Sequence, residues 1–226
     1  MIPWEHIDST PVPGGSGELR LMRRAAEFSI MLGGTELMNS RLSGSEEALA
    51  RLSLAQIPGR PQTSVLVGGL GMGFTLRALL AAMEPDAQIT VSELVPAVVE
   101  WARGPMASIF QGCLDDPRVT IAVEDVADCI AKAPSTYDAI ILDVDNGPQG
   151  LTSRENDRLY TVAGLGAARA ALRPGGVLSV WSSGPDSYFT GRLRQAGFVV
   201  EEARVRASSK GRGARHVIWL ALRPFS

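Results

Sequence analysis

The sequence predicts an α/β fold with a mostly parallel β-sheet and helices on both of its faces. Three observations lead to this prediction. Short apolar runs that suit buried strands alternate with helical patterns over residues 63–196. A glycine-rich turn joins the first of these strands to its helix, and the last two strands follow each other with no helix between them. The final strand should therefore run antiparallel to the rest of the sheet.

The first 45 residues are predicted to form a lead-in and a small β-hairpin. Residues 1–17 carry Pro, Gly and Ser in close succession and are expected to be irregular. Two runs of strand-forming residues then flank Gly33 and Gly34, a pair that is typical of a tight hairpin turn. Residues 46–226 are expected to form the main domain.

A helix is expected at the start of this domain, because residues 45–54 combine a serine suited to capping, early acids and apolar residues at helical spacing. The acids are Glu46 and Glu47, and they indicate the start of a helix. Pro58 and Pro61 end the helix and lead into the first central strand.

The central part of the chain alternates strands and helices without a break. Predicted strands end at Gly68, Glu93, Val123 and Asp143, and each precedes a helical pattern. A fifth strand over residues 177–181 follows a helix over residues 159–172. The carboxyl ends of parallel strands meet at one edge, and open α/β sheets bind ligands there.

The last strands of the chain indicate which type of α/β fold is present. A helix over residues 188–196 precedes two strands, over residues 198–205 and 216–222, which should form an antiparallel hairpin. A dinucleotide dehydrogenase would instead repeat its βαβ unit. A single set of parallel strands followed by a reversed last strand indicates a Rossmann-like sheet of the class I S-adenosylmethionine (SAM) methyltransferase type.

Composition excludes several classes of protein. The chain has 226 residues, 45% hydrophobic and 20% charged, with a net charge of −2, so it suits a globular domain and carries no nucleic-acid footprint. No apolar run has the length of a membrane span, and the first residues lack the layout of a signal peptide, so a cytoplasmic location is expected. Cys113 and Cys129 form no CxxC pair, and neither a disulfide nor a metal site is predicted.

The turn from Gly68 to Gly73 is the first candidate part of a ligand site. Gly69, Gly71 and Gly73 let the backbone take positive φ and let a ligand approach with no Cβ in the way. The helix after the turn presents its free N–H groups to the same place. A nucleotide-type cradle is predicted, although glycine-rich turns alone are also common in structural roles.

Acidic residues follow the next two strands. Glu93 closes the second strand, where a carboxylate can accept hydrogen bonds from both ribose hydroxyls. Asp125 follows the third strand, where a carboxylate can accept a hydrogen bond from the adenine amino group, and the adjacent Val126 is included in the same site. Asp128, on the following helix, is expected at the surface.

A third acidic group follows the fourth strand. Asp143, Asp145 and Asn146 are candidate catalytic residues, because paired carboxylates and an amide can orient a cationic donor or a nucleophile. Asp143 is also a candidate donor-binding residue. Asn146 precedes Gly-Pro and is explained equally well as a turn residue.

Three further side chains are weaker candidates. Tyr160 and Trp181 are predicted to wall an apolar substrate pocket, although both lie in segments that must pack a core. His216 begins the final strand and is more readily explained as a strand-edge histidine than as a catalytic one.

Six stretches of the chain follow the pattern of one known family: residues 65–77, 91–100, 116–121, 137–143, 159–160 and 172–178. In these stretches the chain resembles the spermidine synthases, the polyamine aminopropyltransferases. The resemblance covers roughly residues 30–222 and implies that Glu93 binds the ribose and Asp125 the adenine of SAM or decarboxylated SAM. It also implies a homodimer formed through the N-terminal hairpin region.

The sequence departs from this family's pattern at three places. Gly71 stands where the family has an aspartate that contacts the amino group of decarboxylated SAM. Asn146 stands where the family has the second aspartate of D-x-x-D, with Asp145 one position earlier. The family's polyamine-contacting tyrosine falls near Ser45.

Three functions are therefore considered. The leading prediction is methyl transfer from SAM to a small-molecule nucleophile, because the glycine at position 71 leaves room for the carboxylate of SAM. The alternative is aminopropyl transfer from decarboxylated SAM to a diamine, with Asp145 as a displaced base. A third is a non-catalytic nucleoside-binding or assembly protein. Nucleic acid, membrane and metal are not expected as partners.

Overall fold

The computed structural model describes residues 2–15, 17–144, 147–148, 156–208 and 213–225. In this part of the chain a four-stranded antiparallel sheet precedes a seven-stranded mixed sheet with helices packed on it. The described helices include none with the length and apolar character that a membrane crossing requires.

The N-terminal sheet consists of β1 (Glu5–Pro11), β2 (Glu18–Arg24), β3 (Glu27–Leu32) and β4 (Thr35–Asn39), in that order. The hairpin across Gly33 and Gly34 is confirmed. The prediction of an irregular lead-in over residues 1–17 is wrong, because β1 lies within it and pairs with β2. Strand β2 pairs with β3 on one side only, so its other edge would leave backbone N–H and C=O groups without partners. Pairing with β1 supplies those partners, which explains why the polar N-terminal segment forms a strand.

The main sheet is built from strands and helices that alternate along the chain. After α1 (Gly44–Ala55), its first half contains β5 (Ser64–Gly68), α2 (Phe74–Ala82), β6 (Gln88–Ser92), α3 (Pro96–Arg103), α4 (Ala107–Phe110), β7 (Val119–Ala122) and α5 (Val126–Ala131). Its second half contains β8 (Tyr137–Leu142), α6 (Val162–Ala171), β9 (Leu172–Ser182), α7 (Ser187–Gln195), β10 (Val199–Arg206) and β11 (Arg215–Leu222).

The strand order in this sheet is β10-β11-β9-β8-β5-β6-β7. Strands β5 to β9 run parallel to their neighbours in that group, whereas β11 is antiparallel to both β9 and β10. The predicted mostly parallel sheet with a reversed C-terminal strand is confirmed. The split of the chain into residues 1–45 and 46–226 stays a prediction.

Strand β5 has apolar side chains on both faces of the main sheet, so both faces must be packed against other elements. Val65 and Val67 pack into the cluster that includes the N-terminal sheet and α1 to α4, whereas Leu66 packs into the cluster of α5, α6 and α7. All three side chains are buried. A strand that alternates between two apolar layers reads as a continuous hydrophobic run, which is the pattern of a central parallel strand.

Asp138 holds the amino-terminal ends of three strands together. Its carboxylate lies 2.7 Å from Arg60 Nη1 and 2.8 Å from Arg173 Nη1, and it accepts a 2.9 Å hydrogen bond from the backbone N–H of Ser64. Only 2% of the Asp138 side chain is exposed, so its charge is compensated by two guanidinium groups. This network lies at the edge opposite the glycine turn and links the ends of β5, β8 and β9.

Candidate functional site

The glycine turn lies between the end of β5 and the start of α2, at the carboxyl edge of the sheet. Gly69 has a φ of +90°, and a Cβ there would lie 2.5 Å from the carbonyl oxygen of Asp143. Glycine is therefore required at this position both for its conformation and for the close approach of two strand ends. Backbone hydrogen bonds join the turn to both neighbouring strand ends: Gly69 N–H donates to the Ser92 carbonyl of β6, and Asp143 N–H donates to the Gly68 carbonyl.

Glu93 fastens this turn to the neighbouring strand end. Its two carboxylate oxygens accept hydrogen bonds from the backbone N–H groups of Leu70 and Val95, each at 2.9 Å. Only 8% of the residue is exposed, and this burial raises its pKa against the opposing effect of the backbone donors. The carboxylate borders the cavity above the turn, so its predicted ribose contact would use the lone pairs that the backbone leaves free.

Asp125 has two partners in the structure. One oxygen caps α5 by accepting a 2.7 Å hydrogen bond from the backbone N–H of Ala127, and the other lies 2.8 Å from Arg158 Nη2. Arg158 also lies 3.3 Å from Asp128, which is exposed as expected. An adenine amino group that binds Asp125 would share this carboxylate with Arg158, a neighbour that the sequence did not predict.

Asp143 follows β8 directly and faces the glycine turn. The Thr75 hydroxyl, in the first turn of α2, donates a 2.8 Å hydrogen bond to its Oδ2. Burial and, to a smaller extent, the nearby carboxylate of Glu46 raise the pKa of Asp143 to about 7, although the Thr75 hydrogen bond acts in the opposite direction. Asp145 and Asn146 lie outside the described residues, so their predicted roles stay predictions.

Glu46 is the site residue that the sequence did not single out. It belongs to the first turn of α1, and its carboxylate accepts a 2.6 Å hydrogen bond from the Ser45 hydroxyl. Burial raises the pKa of Glu46. Ser45 lies inside the helix and does not cap it, so the predicted capping role is wrong. An acid in the first turn of a helix gives no sequence signal that distinguishes a cavity wall from a partner of the helix dipole.

Two adjoining cavities lie above the turn and share Leu37, Met38, Gly71 and Asp143. The first borders the strand ends of β6 and β7, and its described lining contains three carboxylates and no Lys, Arg or His. The second reaches towards α1 and also contains Gly73 and Trp181. Further lining of the first is Val12, Leu19, Gly69, Ser92, Glu93, Leu94, Val95, Val98, Asp125, Val126 and Val144. Further lining of the second is Glu46, Leu70, Met72 and Phe74.

The structure brings most of the predicted site residues to these cavities. Gly68 lies beneath the first one, where a Cβ would meet the side chain of Val126 at 2.9 Å. Trp181 walls the second cavity, and its ring packs edge-on against His216 with the ring centroids 4.7 Å apart. His216 is half-buried, burial lowers its pKa, and it is absent from the described lining of both cavities.

Tyr160 requires a correction. Its ring is buried, with 2% exposure, and it packs edge-on against Phe189 in the core between α6 and α7. It is not among the described residues that line the two cavities, so we interpret it as a core residue and not as a pocket wall. The apolar pattern around it reflects helix packing.

A larger cavity of about 800 Å³ lies elsewhere, between α1, α2 and residues 110–116. It includes Glu47, Arg77 and Cys113. Arg77 donates hydrogen bonds to the Ile109 carbonyl and to Gln111, and burial raises the pKa of Cys113 to about 11, which leaves the thiol protonated. Because it lacks the strand-end carboxylates, we place the candidate site at the two smaller cavities. In the described part of the chain no group of three metal-ligating side chains occurs.

Comparison with known proteins identifies the family of this chain. The family described as spermine/spermidine synthase domain matches residues 43–186, which span α1, the glycine turn and every strand end of the site. The chain belongs to this family. One similar protein is the polyamine aminopropyltransferase of Mycobacterium tuberculosis, which is 33% identical over 157 residues, or 66% of this chain and 29% of that protein.

A second relative is polyamine aminopropyltransferase 2 of Pseudomonas aeruginosa, 35% identical over 124 residues, or 53% of this chain and 33% of the relative. The matched part therefore spans about a third of the length of these relatives.

Solved structures agree in fold. The spermidine synthase of Thermotoga maritima has a TM-score of 0.76 at 21% identity and covers 98% of this chain and 74% of that one. A spermidine synthase in complex with the transition state analogue AdoDATO has a TM-score of 0.75, also at 21% identity.

Proposed function

We propose that this chain is an aminopropyltransferase that moves the aminopropyl group of decarboxylated SAM to the amine of a small polyamine acceptor. Membership of the spermine/spermidine synthase family supports this function, and the similar proteins of Mycobacterium tuberculosis and Pseudomonas aeruginosa are polyamine aminopropyltransferases. Methyl transfer from SAM, the leading expectation from the sequence, finds no support among these relatives.

The observation that carries the proposal is the charge of the first cavity. Glu93, Asp125 and Asp143 border it, and its described lining holds no cationic side chain. Asp125 is paired with Arg158 from outside this lining, so Glu93 and Asp143 are the carboxylates that have no cationic partner among the described residues. Carboxylates at the ends of neighbouring strands suit a nucleoside that presents hydroxyl and amino donors together with a positive sulfur. A donor with a free carboxylate would find no described partner for it.

The chemistry that this arrangement serves is a displacement at carbon. The acceptor nitrogen forms a bond to the propyl carbon that carries the sulfonium, the carbon–sulfur bond breaks with its electrons going to sulfur, and 5′-methylthioadenosine leaves. The new ammonium group loses a proton to a base. Asp143 orients the cationic groups, and a reaction of this kind depends above all on alignment of the two reactants. Asp145 stays the predicted base.

The test combines turnover with binding on the full chain. Decarboxylated SAM and a panel of α,ω-diamines should give an aminopropylated amine and an equal amount of methylthioadenosine. A methylated amine formed from SAM would contradict the proposal in favour of methyl transfer. Nucleoside binding without turnover across the panel would contradict it in favour of a non-catalytic protein.

A variant tests the donor site separately. Glu93→Ala removes the acceptor of two backbone hydrogen bonds and the predicted ribose ligand, so calorimetry should detect no methylthioadenosine binding. Glu100→Ala is the matched control, because Glu100 is an exposed residue of α3. Unchanged affinity in Glu93→Ala would count against the donor site.

A further inference from the structure

Two adjacent acids in the first turn of α1 have different surroundings. Glu46 lines the second cavity together with Gly71, Asp143 and Trp181, and the Ser45 hydroxyl holds its carboxylate at 2.6 Å. Glu47 is exposed and borders the larger cavity on the side of α2. Only Glu46 therefore presents its charge to the space above the glycine turn.

This space holds two carboxylates without a compensating cation in the described structure. Asp143 enters from the end of β8 and Glu46 from α1, and Thr75 on α2 gives Asp143 its only described side-chain hydrogen bond. No Lys, Arg or His is among the described residues of the cavity. A half-buried pair of like charges is unfavourable until a cation binds between them, so the cavity favours a positive ligand and disfavours a negative one.

The remaining walls suit an alkyl chain that ends in such a cation. Met38 and Leu37 contribute apolar surface, and a Cβ added to Gly71 would meet only the Met38 sulfur, at 3.5 Å. The absent side chain at Gly71 leaves Glu46 in open contact with the space above the turn. Trp181 adds an aromatic wall of the kind that attracts alkylammonium groups, and its indole N–H has no hydrogen-bond partner among the described residues.

We propose that Glu46 determines donor specificity by binding the primary ammonium group of the aminopropyl arm of decarboxylated SAM and by repelling the carboxylate of SAM. This inference rests on the proposed function and names the residue that selects its donor. In the family pattern an aspartate of the glycine turn supplies the negative charge that contacts the donor's amino group, and Gly71 stands in its place here. We infer that Glu46 on α1 supplies this charge instead.

Calorimetry with three ligands tests the inference in the absence of any acceptor. Methylthioadenosine lacks the charged arm, decarboxylated SAM carries an ammonium group, and SAM carries an ammonium and a carboxylate. In Glu46→Gln we expect methylthioadenosine to bind within about twofold of the original protein, which also shows that the variant is folded. Decarboxylated SAM should bind roughly tenfold more weakly, and its preference over SAM should fall by a similar factor.

Glu47→Gln is the matched control, since it removes the same charge from the adjacent position and should leave all three affinities unchanged. Normal methylthioadenosine binding with an unchanged preference in Glu46→Gln would overturn the inference and leave the proposed function standing. An unchanged donor affinity with a raised acceptor KM would overturn it as well, by assigning Glu46 to the acceptor. If the original protein does not bind methylthioadenosine, the proposed function itself fails.

Discussion

The hydroxyl of Thr75 donates a 2.8 Å hydrogen bond to Asp143 Oδ2 and so joins the first turn of α2 to the end of β8. Asp143 lines the second cavity together with Glu46, so the bond holds one of the two carboxylates of that cavity. Because it stabilises the ionised carboxylate, it opposes the burial that raises the pKa of Asp143 to about 7. One hydroxyl therefore influences how much negative charge the site carries near neutral pH.

Removal of this hydroxyl should make donor binding more dependent on pH. In Thr75→Val the pKa of Asp143 rises further, so at pH 7 a smaller fraction is ionised and decarboxylated SAM should bind on the order of tenfold more weakly. At pH 9 the difference should shrink, because the carboxylate is then ionised in both proteins. Calorimetric titrations between pH 6 and 9 measure this, and Thr75→Ser, which keeps the hydroxyl, should follow the original profile. A constant deficit at every pH would contradict this role.

Asp143 should also make stability depend on pH. Its folded pKa of about 7 lies above the ordinary value of 3.8, so its protonated form contributes stability that is complete below about pH 4 and is lost as pH rises through 7. The melting temperature relative to Asp143→Asn should therefore fall between pH 5 and about 7.5 and level off above that. Calorimetric melting of both proteins without ligand provides the measurement. A difference that does not change with pH would show that Asp143 titrates normally.

The two roles of Asp125 can be separated by substitution. Asp125→Ser retains an oxygen that can cap α5, so its melting temperature should stay close to the original, whereas Asp125→Ala should lose about 1 kcal/mol of stability. For a chain of this size that loss corresponds to roughly 2–4 °C. Both variants lack the second carboxylate oxygen and should bind methylthioadenosine roughly tenfold more weakly. Original affinity in Asp125→Ser would remove Asp125 from the adenine site.

Gly69 should not tolerate a side chain. In Gly69→Ala the new Cβ would lie 2.5 Å from the Asp143 carbonyl oxygen at a φ of +90°, so the two strand ends must separate. We expect a loss of more than about 2 kcal/mol together with loss of donor binding. Gly166→Ala provides the contrast, because nothing lies within 4 Å of its added Cβ and it occupies α6, where alanine is favoured by up to about 1 kcal/mol. Thermal melting of the two variants should shift in opposite directions, and equal shifts would contradict the argument.

The sequence by itself determined the parallel sheet and the part of the site that lies at strand ends. Val65, Leu66 and Val67 form an apolar run that only a strand buried on both faces explains, and the glycines after them require a tight turn. Since the carboxyl ends of parallel strands meet at one edge, Glu93, Asp125 and Asp143 could be assigned to one site from their positions alone. These inferences depend on local periodicity and on chain order.

Only the tertiary structure decided which side chains from distant segments line the site and which predicted site residues pack in the core instead. Glu46 lies far along the chain from Asp143 and faces it because α1 packs beside α2, a contact that no local pattern encodes. Tyr160 has the apolar neighbours of a pocket residue, yet the packing of α6 against α7 places it in the core. The charge of a site depends on distances between distant segments, and sequence periodicity carries no information about those distances.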